Sequence, residues 1–141
     1  MATKFDQILD ALKVLLQNAP AVSANVEREK ARPWDAEVSI GLNIVPEADP
    51  LTETGGYSHT DRAMMVDFQI TARGDQPTKQ GDPTVEALHN RLMSDRTLGG
   101  LAIDIQVGDN DIEWDDAERD YCVLHRRYRV MYRTSETNLS T

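Results

Sequence analysis

The chain lacks most of what a disulfide, a zinc site or a membrane span requires. It holds 1 cysteine and 3 histidines among 141 residues. The single Cys122 cannot form an intramolecular bridge, and one cysteine with scattered histidines does not make a zinc site. No apolar run approaches the roughly 20 residues that cross a bilayer, and the N-terminal segment lacks a secretory-signal pattern. We therefore expect a soluble protein of a reducing cytoplasm, with no metal, cofactor or membrane partner.

Basic residues are also scarce relative to acidic ones. The chain has 15 Lys and Arg against 24 Asp and Glu, a formal net charge of -9. Since phosphate neutralisation supplies most non-specific affinity for nucleic acid, this balance argues against a dedicated DNA or RNA binder. Motifs of nucleophilic, zinc-dependent or phosphate-binding catalysis are absent as well. The sequence thus predicts a protein that is not an enzyme and has no catalytic residue.

Two helices are predicted. Apolar residues recur at helical spacing from about Lys4 to Asn18, with Val14 on the opposite side. Asp82 and Pro83 form a second helix start signal, and Val85, Leu88 and Leu92 form that helix's apolar face.

Alternation of apolar and polar residues predicts the strands. Residues 22–30 are a weak candidate, and the clearer strands are centred on 38–44, 64–72, 103–107 and 121–133. Pro46 and Pro50 are expected to end the first clear strand. We predict a single α+β domain over 1–141, with a mostly antiparallel sheet of about four to five strands and two helices packed on one side. Residues 134–141 are expected to form a flexible tail.

Two acidic segments show neither period. Residues 47–62 are expected to be a long mobile loop, a kind of loop that is usually functional or ordered by a partner. Residues 109–120 have some calcium-loop spacing, but Trp114 occupies the position that needs glycine. A solvated turn between strands is the simpler interpretation. We expect Trp114 to pack on a neighbouring element or on a partner subunit.

The last strand concentrates arginine and tyrosine. Arg126, Tyr128 and Tyr132 share the face of Leu124 and Val130, while the remaining arginines of the strand, Arg127, Arg129 and Arg133, share the other. A single-stranded nucleic-acid surface needs aromatic and basic side chains on one exposed face. Ion pairs with the chain's own carboxylates, within or between subunits, are the favoured interpretation, and nucleic-acid binding remains the alternative.

The segments "LMSDRTLGGLAIDIQV" and "HRRYRVMYRTSETNL" resemble the C-terminal half of tail terminator proteins of long-tailed bacteriophages. The resemblance extends to an N-terminal helix, an "I-V-P-E" turn and an alternating strand "MMVDFQITAR". It is most specific around 95–101 and 128–139.

This resemblance implies a structural protein of the virion, at the neck of the tail, that assembles in the host cytoplasm. Such subunits form a ring, commonly a homo-hexamer, that caps the tail tube protein and offers a surface to the head-tail connector protein, while the genome passes through the lumen. A tail tube or connector subunit is the alternative within this class. A ring needs complementary surfaces on one subunit, and we expect them among the following residues: Trp114, Asp115, Asp116, Arg126, Arg127, Arg129 and Arg133.

Overall fold

The protein is a two-layer α+β fold, as predicted. The computed structural model describes residues 2–55, 58–115 and 120–141. Its elements are α1 Lys4–Gln17, β1 Val26–Arg28, β2 Ile40–Ala48, β3 Leu51–Gly55, β4 His59–Arg73, α2 Pro77–Ser94, a 3-10 turn Leu98–Gly100, β5 Asp104–Trp114 and β6 Tyr121–Ser135. The sheet has six strands, in the order β1-β2-β4-β6-β5 with β3 also paired to β4. Among these described strands, only the β1–β2 pair is parallel.

Both helices cover one face of the sheet. The predicted first helix is confirmed: the Thr3 hydroxyl caps it by accepting from the Asp6 N–H at 3.2 Å. Its buried residues are Ile8, Leu9, Leu12 and Leu16. Val14 lies on the exposed side, as its position in the pattern predicted.

The two longest strands pair along their whole length. β4 and β6 each have 15 residues, in a register that places Ile70 opposite Leu124 and Val66 opposite Tyr128. The predicted faces of β6 are confirmed, since Tyr128 and Tyr132 are buried beneath the helical layer.

The predicted loop at 47–62 is wrong for most of its length. β2 continues through Pro46 to Ala48, β3 follows, and His59, assigned to the loop, begins β4. These residues show no apolar alternation because backbone pairing with the long β4, rather than burial of one face, makes them strands. Pro46 is tolerated because β1 pairs with β2 only as far as Ile44, which leaves an edge at the proline.

The predicted start of the second helix is also wrong. α2 begins at Pro77, five residues before Asp82, and Pro83 lies inside it. A proline is equally suited to the first helical position at Pro77. Gly81 lies where α2 packs closely on the sheet: an added Cβ would stand 2.8 Å from a methyl carbon of Leu124. The packing against the sheet offsets the helix-breaking tendency of these residues.

The acidic run is a strand in its first half. β5 was expected to end near Val107, but it continues to Trp114, paired with β6 across a bulge between Val107 and Asn110. Gly108 sits in this bulge, where an added Cβ would lie 3.0 Å from the Arg127 carbonyl oxygen. Pairing with β6 therefore extends β5 into an acidic segment that lacks the apolar alternation of a strand.

The end of the chain lies beside the start of α1. The Lys4 N–H donates to the Leu139 carbonyl at 2.7 Å, and the Gln7 amide donates to the Ser140 carbonyl at 3.4 Å. The flexibility expected of 134–141 stays a prediction, although Thr134 and Ser135 belong to β6.

Candidate subunit interface

The arginines of β6 divide between the two faces of the sheet. Arg127, Arg129 and Arg133 lie on the face that carries no helix, and Arg126 lies on the helical face opposite Phe68. This is the division that alternation predicted.

Two arginines of the open face pair with carboxylates of the same chain. The Arg127 Nε donates to Glu47 at 2.8 Å. Arg133 donates to both oxygens of Asp61, at 2.7 and 3.1 Å, and thereby lowers the pKa of that carboxyl. The hydrogen bond from Arg127 to Glu47 likewise raises the pKa of Arg127. The preferred interpretation of the arginines, pairing with the chain's own acids, therefore holds within the subunit for these two.

The other two arginines have no such partner in the part of the chain that the structure describes. Neither Arg126 nor Arg129 forms an ion pair there. Arg129 is half-buried among the side chains of the open face. Arg126 is half-buried too, and its Nε is fully buried without a hydrogen-bond partner. Both guanidinium groups therefore lack a carboxylate partner among the described residues.

The open face also holds a buried hydrogen-bonded pair that sequence reasoning missed. Asp67 is only 1% exposed and accepts a hydrogen bond from His125 Nδ1 at 2.6 Å. The Gln69 amide donates to the same carboxylate oxygen at 3.1 Å. Because a carboxylate only accepts, Nδ1 carries the hydrogen, and Nε2 of His125 faces Glu113 at 3.6 Å. The sequence shows an aspartate in the middle of the chain's most regular strand, but its histidine partner lies on another strand.

Asp67 and His125 connect the two longest strands of the sheet. Among the described residues no group of three or more histidine, cysteine, aspartate or glutamate side chains is arranged to hold a metal ion. No serine, threonine or cysteine is found within hydrogen-bond distance of the imidazole in this part of the chain. The geometry supports a structural role, in which Asp67 and His125 fasten β4 to β6.

β5 carries an uncovered apolar stripe on the helical face. Ile105 is buried on this face. Further along the strand the side chains of Val107, Ile112 and Trp114 are exposed. Their register partners on β6 are Tyr128, Leu124 and Cys122, all of which belong to the core. Trp114, expected to be packed on a neighbour, is 38% exposed. The stripe therefore continues the core beyond the edge of the helical layer.

Of the two acidic site residues, Asp115 lies just beyond this stripe. The N–H of Asp115 donates to the Tyr121 carbonyl at 3.3 Å and so closes the end of the β5–β6 pair. Asp116 lies outside the residues that the structure describes.

The "D-x-T-L-G-G" segment forms a tight turn between α2 and β5. Leu98, Gly99 and Gly100 all have positive φ, at 49°, 66° and 98°. The Asp95 carboxylate accepts from the Gly99 N–H at 3.2 Å. Glycines are needed here for their backbone conformation, since an added Cβ at either glycine would meet nothing within 4 Å.

This turn and α1 border a surface groove. The groove has a volume of about 330 Å³ and is lined by Asp10, Ala11, Val14, Leu15, Asn18, Asp95, Leu98 and Gly99. Val14 is exposed in it. The lining of the groove thus combines apolar side chains with two carboxylates, of which Asp10 is paired with Arg28 at 2.8 Å.

A second groove lies at the far end of β6. It measures about 460 Å³ and is lined by Thr3, Phe5, Asp49, Arg62, Tyr132, Thr134 and Leu139. The Tyr132 hydroxyl donates to Asp49 at 2.7 and 2.8 Å, and burial raises the pKa of this phenol far above its usual value. These contacts join β6 to the β2–β3 connection.

Comparisons with known proteins find similarity among the solved structures. No family model matches the chain, and no curated protein matches it. The fold is similar to a chain of the "Virion of native gene transfer agent (GTA) particle", at 9% identity and a TM-score of 0.45, over 94% of this chain and 92% of that one. At this identity and TM-score the likeness does not bear on function. Among the described residues, no helix is long and apolar enough to cross a membrane.

Proposed function

We propose that this protein is a structural subunit of a long-tailed phage, a tail terminator that assembles into a ring and has no catalytic activity. Two features support the proposal. The segments around 95–101 and 128–139 resemble those of tail terminators. The observation that carries it is the uncovered apolar stripe on β5, because exposed apolar patches at a strand edge mark interaction surfaces.

In this role the subunits form a closed ring, commonly of six, on the last ring of the tail tube. The ring stops tube polymerisation and offers its other side to the head-tail connector. A ring of this kind requires heterologous contacts, in which one surface of a subunit meets a different surface of its neighbour. The protein then belongs to the tail neck of the virion and assembles in the host cytoplasm.

Static and dynamic light scattering on the purified protein test this proposal. We expect a closed oligomer, or a monomer that shifts towards one as concentration rises. A species whose mass grows without limit would favour a tube subunit over a terminator. A monomer unchanged by concentration and salt would contradict both assignments.

The nucleic-acid alternative has its own test. Binding to single-stranded DNA would depend steeply on salt, since each neutralised phosphate releases counterions. We expect no measurable binding near 50 mM salt, because the overall charge is repulsive and two of the four arginines of β6 are already paired. Binding that weakens with added salt would revive this alternative.

A further inference from the structure

We propose that the apolar stripe of β5 (Val107, Ile112 and Trp114, with Arg126 beside it) docks into the groove between α1 and the Leu98–Gly100 turn of a second copy of this chain. This inference rests on the proposed function, since it names the two complementary surfaces that a ring of this protein would use.

The stripe is the largest concentration of exposed apolar side chains in the described part of the chain. Seven large hydrophobic residues are exposed there, and four of them lie between 103 and 114: Ile103, Val107, Ile112 and Trp114. Alternation on either side of the bulge places three of these four, Val107, Ile112 and Trp114, on the helical face. Burying these side chains against a partner would remove apolar surface from water, which favours association.

Arg126 gives the stripe its charge. Its register partner on β5 is Asn110, between Val107 and Ile112, so its side chain stands within the stripe. The acids that flank the stripe in sequence, Asp111 and Glu113, pair in register with residues of the open face and so point away. The stripe is therefore an apolar surface with Arg126 beside it, and neither Asp111 nor Glu113 shares its face.

The groove is complementary to this surface. Val14 and Ala11 supply apolar contact on α1, and Leu98 supplies it on the turn. Asp95 accepts one backbone hydrogen bond and has no cationic partner among the described residues, so its carboxylate can receive a guanidinium. A charge-assisted bond from Arg126 of one copy to Asp95 of the next would satisfy both groups.

Pairing of two β5 edges with each other is the competing arrangement, and charge disfavours it. Asp109, Asp111 and Glu113 are exposed along this edge. An antiparallel β5–β5 contact would bring the carboxylates of both copies together, and like charges across a strand pair are destabilising. Docking into the groove avoids that repulsion and joins two different surfaces, as a ring demands.

Substitutions at two exposed residues, with one matched control, test the inference. Val14→Asp alters only the groove, and Trp114→Asp alters only the stripe. Leu51→Asp, on β3, lies outside both, and Leu51 is 52% exposed against 55% for Val14. Circular dichroism and thermal melting verify that each variant folds. We expect Val14→Asp and Trp114→Asp each to weaken self-association at least tenfold, and Leu51→Asp to match the wild type.

Mixing the variants identifies the geometry. Val14→Asp retains its stripe and Trp114→Asp retains its groove, so an equimolar mixture should form a heterodimer that neither variant forms alone. Arg126→Glu should weaken association, and Asp95→Arg in the same chain should restore it. If the wild type associates but Val14→Asp associates equally well, the inference is wrong and the proposed function stands. A wild type that never associates overturns both.

Discussion

Removing the Asp67 carboxylate should destabilise the fold more than any other single change on the open face of the sheet. The carboxylate is 1% exposed and accepts hydrogen bonds from His125 at 2.6 Å and Gln69 at 3.1 Å. Asp67→Ala leaves both donors without an acceptor. Breaking a buried pair by removing one partner costs about 3–5 kcal/mol. The lower end applies here, because the second oxygen of Asp67 is buried without a hydrogen bond and already bears a desolvation cost.

Urea unfolding measures this effect. With a urea m-value of about 1–3 kcal/mol per molar, a loss of about 3 kcal/mol lowers the unfolding midpoint by roughly 1–3 M. Asp67→Asn keeps the shape and one acceptor, so we expect a loss of about 1–2 kcal/mol. Asp111→Ala, exposed on β5 opposite His125, is the matched control and should stay within about 0.5 kcal/mol of wild type. All variants are compared at one low protein concentration, because association would add apparent stability. An Asp67→Ala midpoint equal to that of Asp111→Ala would refute the reasoning.

Three further predictions follow from burial and packing. Burial raises the pKa of both Tyr128 and Tyr132. Above about pH 10 the unfolded phenols ionise while the folded ones stay protonated, so the free energy of unfolding should fall with rising pH. Tyr132→Phe should reduce that slope in urea titrations at about pH 9 to 11. Burial also raises the pKa of the Cys122 thiol, so a thiol reagent should label it at the rate of unfolding, and labelling within seconds in the native state would contradict the buried position. Gly81→Val should destabilise by about 1–3 kcal/mol through overpacking against Leu124, whereas an unchanged thermal midpoint would mean that α2 lies farther from the sheet.

The sequence predicted the elements whose pattern comes from burying one face. α1, β4 and β6 each alternate or repeat at the period of their structure, and the structure confirms which residues face the core. Arg126 was assigned correctly to the face of Tyr128 for the same reason.

The errors arise where pairing, rather than burial, makes the structure. β3 and the second half of β5 are held by backbone hydrogen bonds to longer neighbours, so their polar side chains carried no apolar period. Asp67 was missed for a related reason. Its carboxylate is paired with His125 on β6, and such a contact across strands is not visible in either strand alone.

The candidate interface was predictable only in part. Trp114 was recognisable as an unusual residue among carboxylates, and Arg126 as a member of a basic strand. They share one surface because of the bulge at Gly108. The extra residue there brings the even-numbered residues of β5, including Trp114, onto the face of Val107. The groove that α1 shares with the Leu98–Gly100 turn required the tertiary packing of two distant segments.

Electron microscopy of the purified wild-type protein tests the central claim most directly. A ring-forming terminator predicts closed rings of a single size, which do not stack into longer tubes as protein concentration increases. Fields that contain only monomers at concentrations well above micromolar, or open tubes of variable length, would contradict the claim that this chain forms a terminating ring.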